Sequence, residues 1–243
     1  MDRSLSPLTE GSACIRDVGG LTARHDLRVR SGALLRSDTR RALTSADVAH
    51  LTARLRLELI VDLGMESARV ATSAVSYLEA PLHSTPVAGI SPQEQVLRFL
   101  LGHLESTTSF LPTIIRGVAA MAGRPVLLHS AGSTQRTGLV ITLLLGILGL
   151  DAEQIIADYV QVEMDELAKL RRQQIGEVQR MGETRDLSGT SGKDEGSRYY
   201  AIRTFLIELD LRYGGAQGWA RTRGIPEALL DRLRSALLVS PRQ

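Results

Sequence analysis

The stretch His129-Ser130-Ala131-Gly132-Ser133-Thr134-Gln135-Arg136-Thr137-Gly138 brings together the residue types that hold an anion. Small residues and a glycine let successive backbone N–H groups turn toward one point. An arginine adds a planar, two-pronged donor, and hydroxyl and amide side chains add neutral hydrogen bonds. Ahead of this stretch, Val126 to His129 follow Pro125 and read as a short buried strand; behind it, Thr137 to Leu150 read as a buried helix. The ten residues are therefore a strand–loop–helix junction. The free N–H groups at the positive end of the helix dipole are a site for phosphate or sulfate. Arg136 near a helix start opposes that dipole unless an anion is bound, so it is read as a ligand-holding residue. Ala131, Gly132, Ser133, Thr134, Gln135, Arg136 and Thr137 are the candidate binding residues.

The elements that must position this loop can be read around it. Thr44-Ser45-Ala46-Asp47 reads as the cap of a helix running to about Leu55, and Leu57 to Leu63 as a buried strand. Glu66 to Thr72 suggests a short helix and Tyr77 to Leu82 a further strand. Ser91-Pro92-Gln93-Glu94 supplies an N-cap, a first-turn proline and a polar first turn for a helix carrying Val96, Phe99, Leu100 and Leu104. A helical pattern from Phe110 to Ala122 is expected to be broken or bent near Pro112. After the loop the chain turns helical: residues 151 to 162 behind an acidic cap, Met164 to Met181, and two helices at the end. Residues 182 to 197 contain almost no apolar side chain and read as a mobile loop, and residues 1 to 13 as a flexible tail. The expected fold is thus one α/β domain over residues 14 to 240. It has a central, mainly parallel sheet flanked by helices and a helix-rich C-terminal region.

The ten-residue stretch resembles the H-C-x-x-x-x-x-R-[ST]-G signature of the cysteine-dependent tyrosine and dual-specificity phosphatases. Further segments are similar to the bacterial protein-tyrosine/serine branch, which includes secreted mycobacterial lipid and tyrosine phosphatases. They are Arg16-Asp17-Val18-Gly19-Gly20-Leu21, Val29-Arg30-Ser31-Gly32, Leu34-Leu35-Arg36-Ser37-Asp38, Leu59-Ile60-Val61-Asp62-Leu63, Asp158-Tyr159 and the helical ending from Arg198. The resemblance covers roughly residues 10 to 240. It implies a cysteine-phosphatase fold, with Ser130 at the nucleophile position and Arg136 as the catalytic and phosphate-holding arginine. It also implies a structural His129 that orders the loop; Asp17, in a turn, is read as structural from its place there. In that branch the loop reads H-C-x-A-G-K-D-R-T-G. Here Ser130 stands for the cysteine, Thr134 for the lysine and Gln135 for the aspartate, while Gly64 replaces an arginine after Asp62-Leu63. Several independent departures point to natural divergence and not to a single engineered change.

Those departures set the function classes. A serine hydroxyl ionises far above a loop-stabilised thiol, so the cysteinyl-phosphate route is closed. One class is a pseudophosphatase that binds a phosphorylated or other anionic small molecule, or a phosphoprotein, without ordinary phosphomonoester hydrolysis. Another is a repurposed enzyme in which the loop stabilises a developing anion during elimination, hydrolysis or rearrangement, or retains residual tyrosine phosphatase activity. A third is a scaffold with a vestigial pocket.

Composition narrows the field from outside. The formal charge of +2 over 243 residues gives no footing for a nucleic-acid partner. Cys14 is the only cysteine, which excludes an internal disulfide and a multi-cysteine metal site. No metal or other cofactor is expected. The longest apolar run, Leu139 to Leu150, suits a buried helix and not a membrane span. With no apolar leader core in residues 1 to 20, the expected location is cytoplasmic.

Overall fold

The computed structural model describes residues 15–37, 43–64, 75–83, 85–131, 133–162 and 191–241. Five strands form the central sheet: β1 (Ile15–Asp17), β3 (Leu34–Ser37), β6 (Val126–His129), β4 (Leu59–Asp62) and β5 (Ser76–Glu79), in that spatial order. The four from β3 to β5 are parallel and β1 pairs antiparallel on one edge. A separate antiparallel pair joins β2 (Arg28–Val29) to β7 (Leu238–Val239). β6 is thus the middle strand, and its four residues Val-Leu-Leu-His are all buried, as a strand covered on both faces requires.

Side-chain alternation divides the sheet into two unequal cores. Leu34, Leu59, Val61, Val126 and Leu128 face the larger core, which the helices α2 (Pro92–Glu105), α3 (Leu111–Ala120), α4 (Thr134–Leu148), α5 (residues 152–162), α6 (Ser191–Tyr213), α7 (Gly215–Thr222) and α8 (Glu227–Leu237) share. Ile15, Leu35, Ile60 and Leu127 face the other way, onto Val48 and Leu51 of α1 (Ser45–Leu55). α4 is buried nearly all round, which explains why its sequence is apolar without a clear stripe.

Local chemistry sets the ends of these elements. Thr44 caps α1 and Ser91 caps α2, each in a reciprocal capping box, with Asp47 and Glu94. Pro112 lies in the first turn of α3, where its missing N–H costs nothing. The expected break or bend in a longer helix is therefore corrected to a helix start. β5 stops at Glu79, short of the expected Leu82, and Pro81 follows directly. α4 starts at Thr134, three residues earlier than expected, because Ser133 is a competent N-cap.

The stretch 182 to 197 is corrected in part. Its last seven residues, from Ser191, belong to α6, which is anchored from Ala201 onward in the core and extends back as helix through polar sequence. The C-terminal region holds three helices from Ser191 to Leu237 where two were expected, and paired left-handed glycines, Gly214 (φ 70°) and Gly215 (φ 86°), separate α6 from the additional α7. The expected tail at residues 1 to 13, the short helix at Glu66 to Thr72 and the helix at Met164 to Met181 lie outside the described residues. No helix among the described residues is long and apolar enough to cross a membrane.

Candidate anion site at the carboxyl end of the central strand

Parallel register aligns Ser37, His129, Asp62 and Glu79 at the carboxyl ends of β3, β6, β4 and β5. This is the edge of an open α/β sheet where ligands bind. The loop leaves β6 at its centre. Ser130 N–H donates to the Ser37 carbonyl at 3.0 Å, and Leu63 N–H donates to the His129 carbonyl at 2.8 Å. Both neighbouring strands therefore fix the loop's first residues. His129 (1% exposed) and Ser130 (0%) are buried, and the Ser130 Oγ has no hydrogen-bond partner among the described residues. A buried hydroxyl left so costs free energy on the order of 1–3 kcal/mol.

From Ser133 the loop becomes α4. The Ser133 side chain accepts the Arg136 N–H at 3.4 Å, so that donor serves the cap. The Arg136 N–H is therefore not among the donors left for a ligand. The other first-turn N–H groups lie where a helix offers them no internal acceptor. Ala131, Ser133, Thr134, Gln135 and Arg136 are all partly accessible; Gly132 lies outside the described residues. Thr137 is buried, and its hydroxyl donates to the Thr134 carbonyl at 3.1 Å while accepting from Arg36. It supports the loop from beneath.

Arg136 is held by one edge of its guanidinium. Its Nε donates to the Leu82 carbonyl at 2.8 Å, on the segment that follows β5. Burial lowers the arginine's pKa, and the nearby Asp62 carboxylate partly offsets the effect. A desolvated guanidinium fixed through Nε keeps the planar terminal edge with which arginine grips oxyanions.

Two supporting groups entered the sequence reading only as members of the resembling segments. Arg36, 3% exposed on β3, donates from Nη2 to Thr137 Oγ1 at 3.0 Å and lies 3.8 Å from an Asp158 carboxylate oxygen of α5. It ties three elements together below the loop. Asp62 accepts from the Tyr77 hydroxyl at 2.6 Å and from the Gly64 N–H at 2.9 Å. Gly138 is needed for space: a Cβ there would stand 2.6 Å from the Tyr159 ring. The juxtaposition of Arg36-Ser37 with Asp158-Tyr159 in the resembling segments was the available signal for this underlayer. Asp17 lies apart from it, accepting the Gly19 and Gly32 N–H groups at 2.8 and 2.7 Å in its own turn. Its pKa is raised, because burial outweighs those two bonds. Among the described residues no cluster of His, Cys, Asp or Glu could hold a metal ion.

Comparison with known proteins agrees with this architecture. The profile of the tyrosine phosphatase family matches residues 8–239. The triple specificity protein phosphatase PtpB of Mycobacterium tuberculosis is 32% identical over 125 residues, covering 48% of this chain and 45% of that protein. A protein of Cupriavidus necator named as a tyrosine-protein phosphatase is 27% identical over 167 residues, covering 60% of this chain and 59% of that one. The chain's matches span about half the length of these relatives.

Proposed function

Since the chain belongs to the tyrosine phosphatase family, we propose that it keeps the family's anion-binding loop and uses it to hold a phosphorylated or other anionic ligand without cysteine-dependent hydrolysis. The observation that carries this reading is the fully buried Ser130 Oγ, without a hydrogen-bond partner among the described residues, at the foot of a loop that opens α4 and carries the half-buried Arg136 in its first turn. A vestigial pocket has no physical reason to keep a partly desolvated arginine and a buried hydroxyl without a partner among the described residues together, because each costs stability. Thr134 and Gln135 replace charged groups with neutral ones, which suits binding over turnover. A serine in the thiolate's place needs a general base to act as nucleophile, and His129, the neighbouring candidate, is disfavoured because strand alternation sends adjacent side chains to opposite sides.

The site is tested by titrating sulfate, phosphate and phenyl phosphate against the parent and Arg136→Ala by calorimetry or thermal shift. Charge-assisted hydrogen bonds contribute roughly 1.5–3 kcal/mol, so losing the guanidinium should weaken all three by about tenfold or more. Arg136→Lys should recover little, since a point charge cannot reproduce the planar fork. Equal binding by parent and Arg136→Ala, or no binding to the parent at millimolar concentration, rejects the anion-site reading.

A further inference from the structure

We propose that His103 is a positioning residue for Arg136: from α2 it pins, through the His83 carbonyl, the strap whose Leu82 carbonyl fixes the guanidinium beside the anion loop. The proposal rests on the anion-site reading and names how that site is held and tuned.

The strap is residues 80 to 83. On its inner side it is tied to the sheet, with Ala80 N–H donating to the Asp62 carbonyl at 2.8 Å and Leu82 N–H to the Leu63 carbonyl at 3.2 Å. On its outer side it is tied by His103 Nε2, 2.9 Å from the His83 carbonyl. A carbonyl can only accept, so Nε2 carries the proton. In the neutral ring Nδ1 is then the acceptor, and the Ser109 hydroxyl stands 3.3 Å from it. Ser109 is itself fixed at the entry of α3, where its oxygen accepts the Leu111 N–H at 3.4 Å. Phe99 meets the imidazole edge-on, with ring centroids 4.8 Å apart. The ring's tautomer and orientation are thus set from α2, from the strap and from the start of α3. One residue before His83, the Leu82 carbonyl receives the Arg136 Nε–H.

The same arrangement links the ring to the charge in the site. Two basic side chains act on His103 from neighbouring elements, His83 on the strap and Arg136 on α4, and Arg98 lines with His83 and His103 a cleft of about 370 Å³. Among the described residues no carboxylate acts on it. Burial first, and then His83 and Arg136, hold its pKa below the ordinary value, against the pull of the His83 carbonyl. The ring is therefore neutral at pH 7. A dianion on Arg136 would screen that repulsion, so proton uptake and anion binding favour each other. Sulfate, which does not titrate near neutrality, should bind more tightly as the pH falls from about 8 to about 5.5.

The experiment compares the parent with His103→Gln and His103→Leu. The glutamine amide can still donate to the His83 carbonyl but cannot titrate; leucine can do neither. Exchange of the Arg136 Nε–H with water, read by nitrogen-15 NMR without any anion, should be slow in the parent and His103→Gln and faster in His103→Leu. Sulfate affinity at pH 8 should be kept within about twofold in His103→Gln and fall about fivefold in His103→Leu, the worth of one hydrogen bond. The pH dependence should flatten in both variants. Equal exchange in all three proteins, or His103→Gln as impaired as His103→Leu, overturns the positioning role. An unchanged pH slope in His103→Gln overturns the linkage. If the parent binds no sulfate, the anion-site reading fails, and the Nε–H exchange still decides whether His103 positions Arg136.

Discussion

At the residue scale the site is a contest between what was kept and what was exchanged. Ser130 occupies a fully buried position that a thiolate would share with the dipole of α4, yet its hydroxyl ionises too high to be used that way. Turnover of p-nitrophenyl phosphate should therefore be negligible in the parent and unchanged in Ser130→Ala. Robust activity surviving that change would place the chemistry elsewhere. Ser130→Cys should restore weak activity at best, because Thr134 and Gln135 still stand where the family's charged residues would be. Arg36 is the second decisive residue. It is buried, with the Asp158 carboxylate 3.8 Å away, and removing a member of such a pair withdraws compensation from a buried charge. Asp158→Ala should destabilise the protein by about 2–4 kcal/mol, discounted from the fully buried case because Asp158 keeps some contact with water. It should also loosen anion binding through Thr137. A change in urea midpoint corresponding to less than about 0.5 kcal/mol would show that Arg36 does not depend on this partner.

At the element scale, the strength of the sequence signal follows from how local its cause is. The caps of α1 and α2, the strand at Val126 to His129 and the buried α4 depend on neighbours within a few residues, so Thr44-Asp47, Ser91-Glu94 and the apolar runs disclosed them. The loop's chemistry was legible for the same reason, since the cradle is a strand, a glycine-containing turn and a helix start in direct succession. The contacts that hold Arg136 and Thr137 were not. Leu82 is 54 residues from Arg136 and Arg36 is 101 from Thr137, and no local pattern announces such pairs. The C-terminal helices erred in the opposite direction: polar sequence at 191 to 197 suggested loop, but a helix anchored at one end can extend into solvent. The corner between α6 and α7 offers a sharp test. A Cβ on Gly218 would lie 1.6 Å from the Tyr213 carbonyl oxygen, with no flexible side chain to give way. Gly218→Ala should cost several kcal/mol, on the order of other severe overpacking changes. The reference is Gly102→Ala, which meets open space on α2 and should be neutral or slightly stabilising. Equal stability of the two variants would mean that the corner is not built as described.

At the scale of the whole molecule, pH connects the site to the fold. His103 is held below its ordinary pKa by burial first and also by His83 and Arg136 nearby, so the unfolded chain takes up its proton more readily than the native one. Stability from the neutral ring is complete above the unfolded value of about 6.5. It is lost as the pH falls from there through the lower folded value, where protonation drives unfolding. Asp17 has the opposite sign. Burial raises its pKa, so its contribution is complete below the unfolded value and is lost as the pH rises through the higher folded one. The two groups therefore act in different windows, Asp17 upward in pH from its ordinary carboxylate value and His103 downward in pH from its ordinary imidazole value. Urea midpoints measured from about pH 5 to pH 8 should fall on acidification below 6.5, and the fall should be shallower in His103→Gln than in the parent. Adding saturating sulfate should reduce the fall in the parent, because the bound anion stabilises the protonated ring, and should change nothing in Arg136→Ala, which lacks the anion's anchor. Parallel pH profiles for the parent and His103→Gln, with and without sulfate, would separate the ring from both the stability of the fold and the charge in its site.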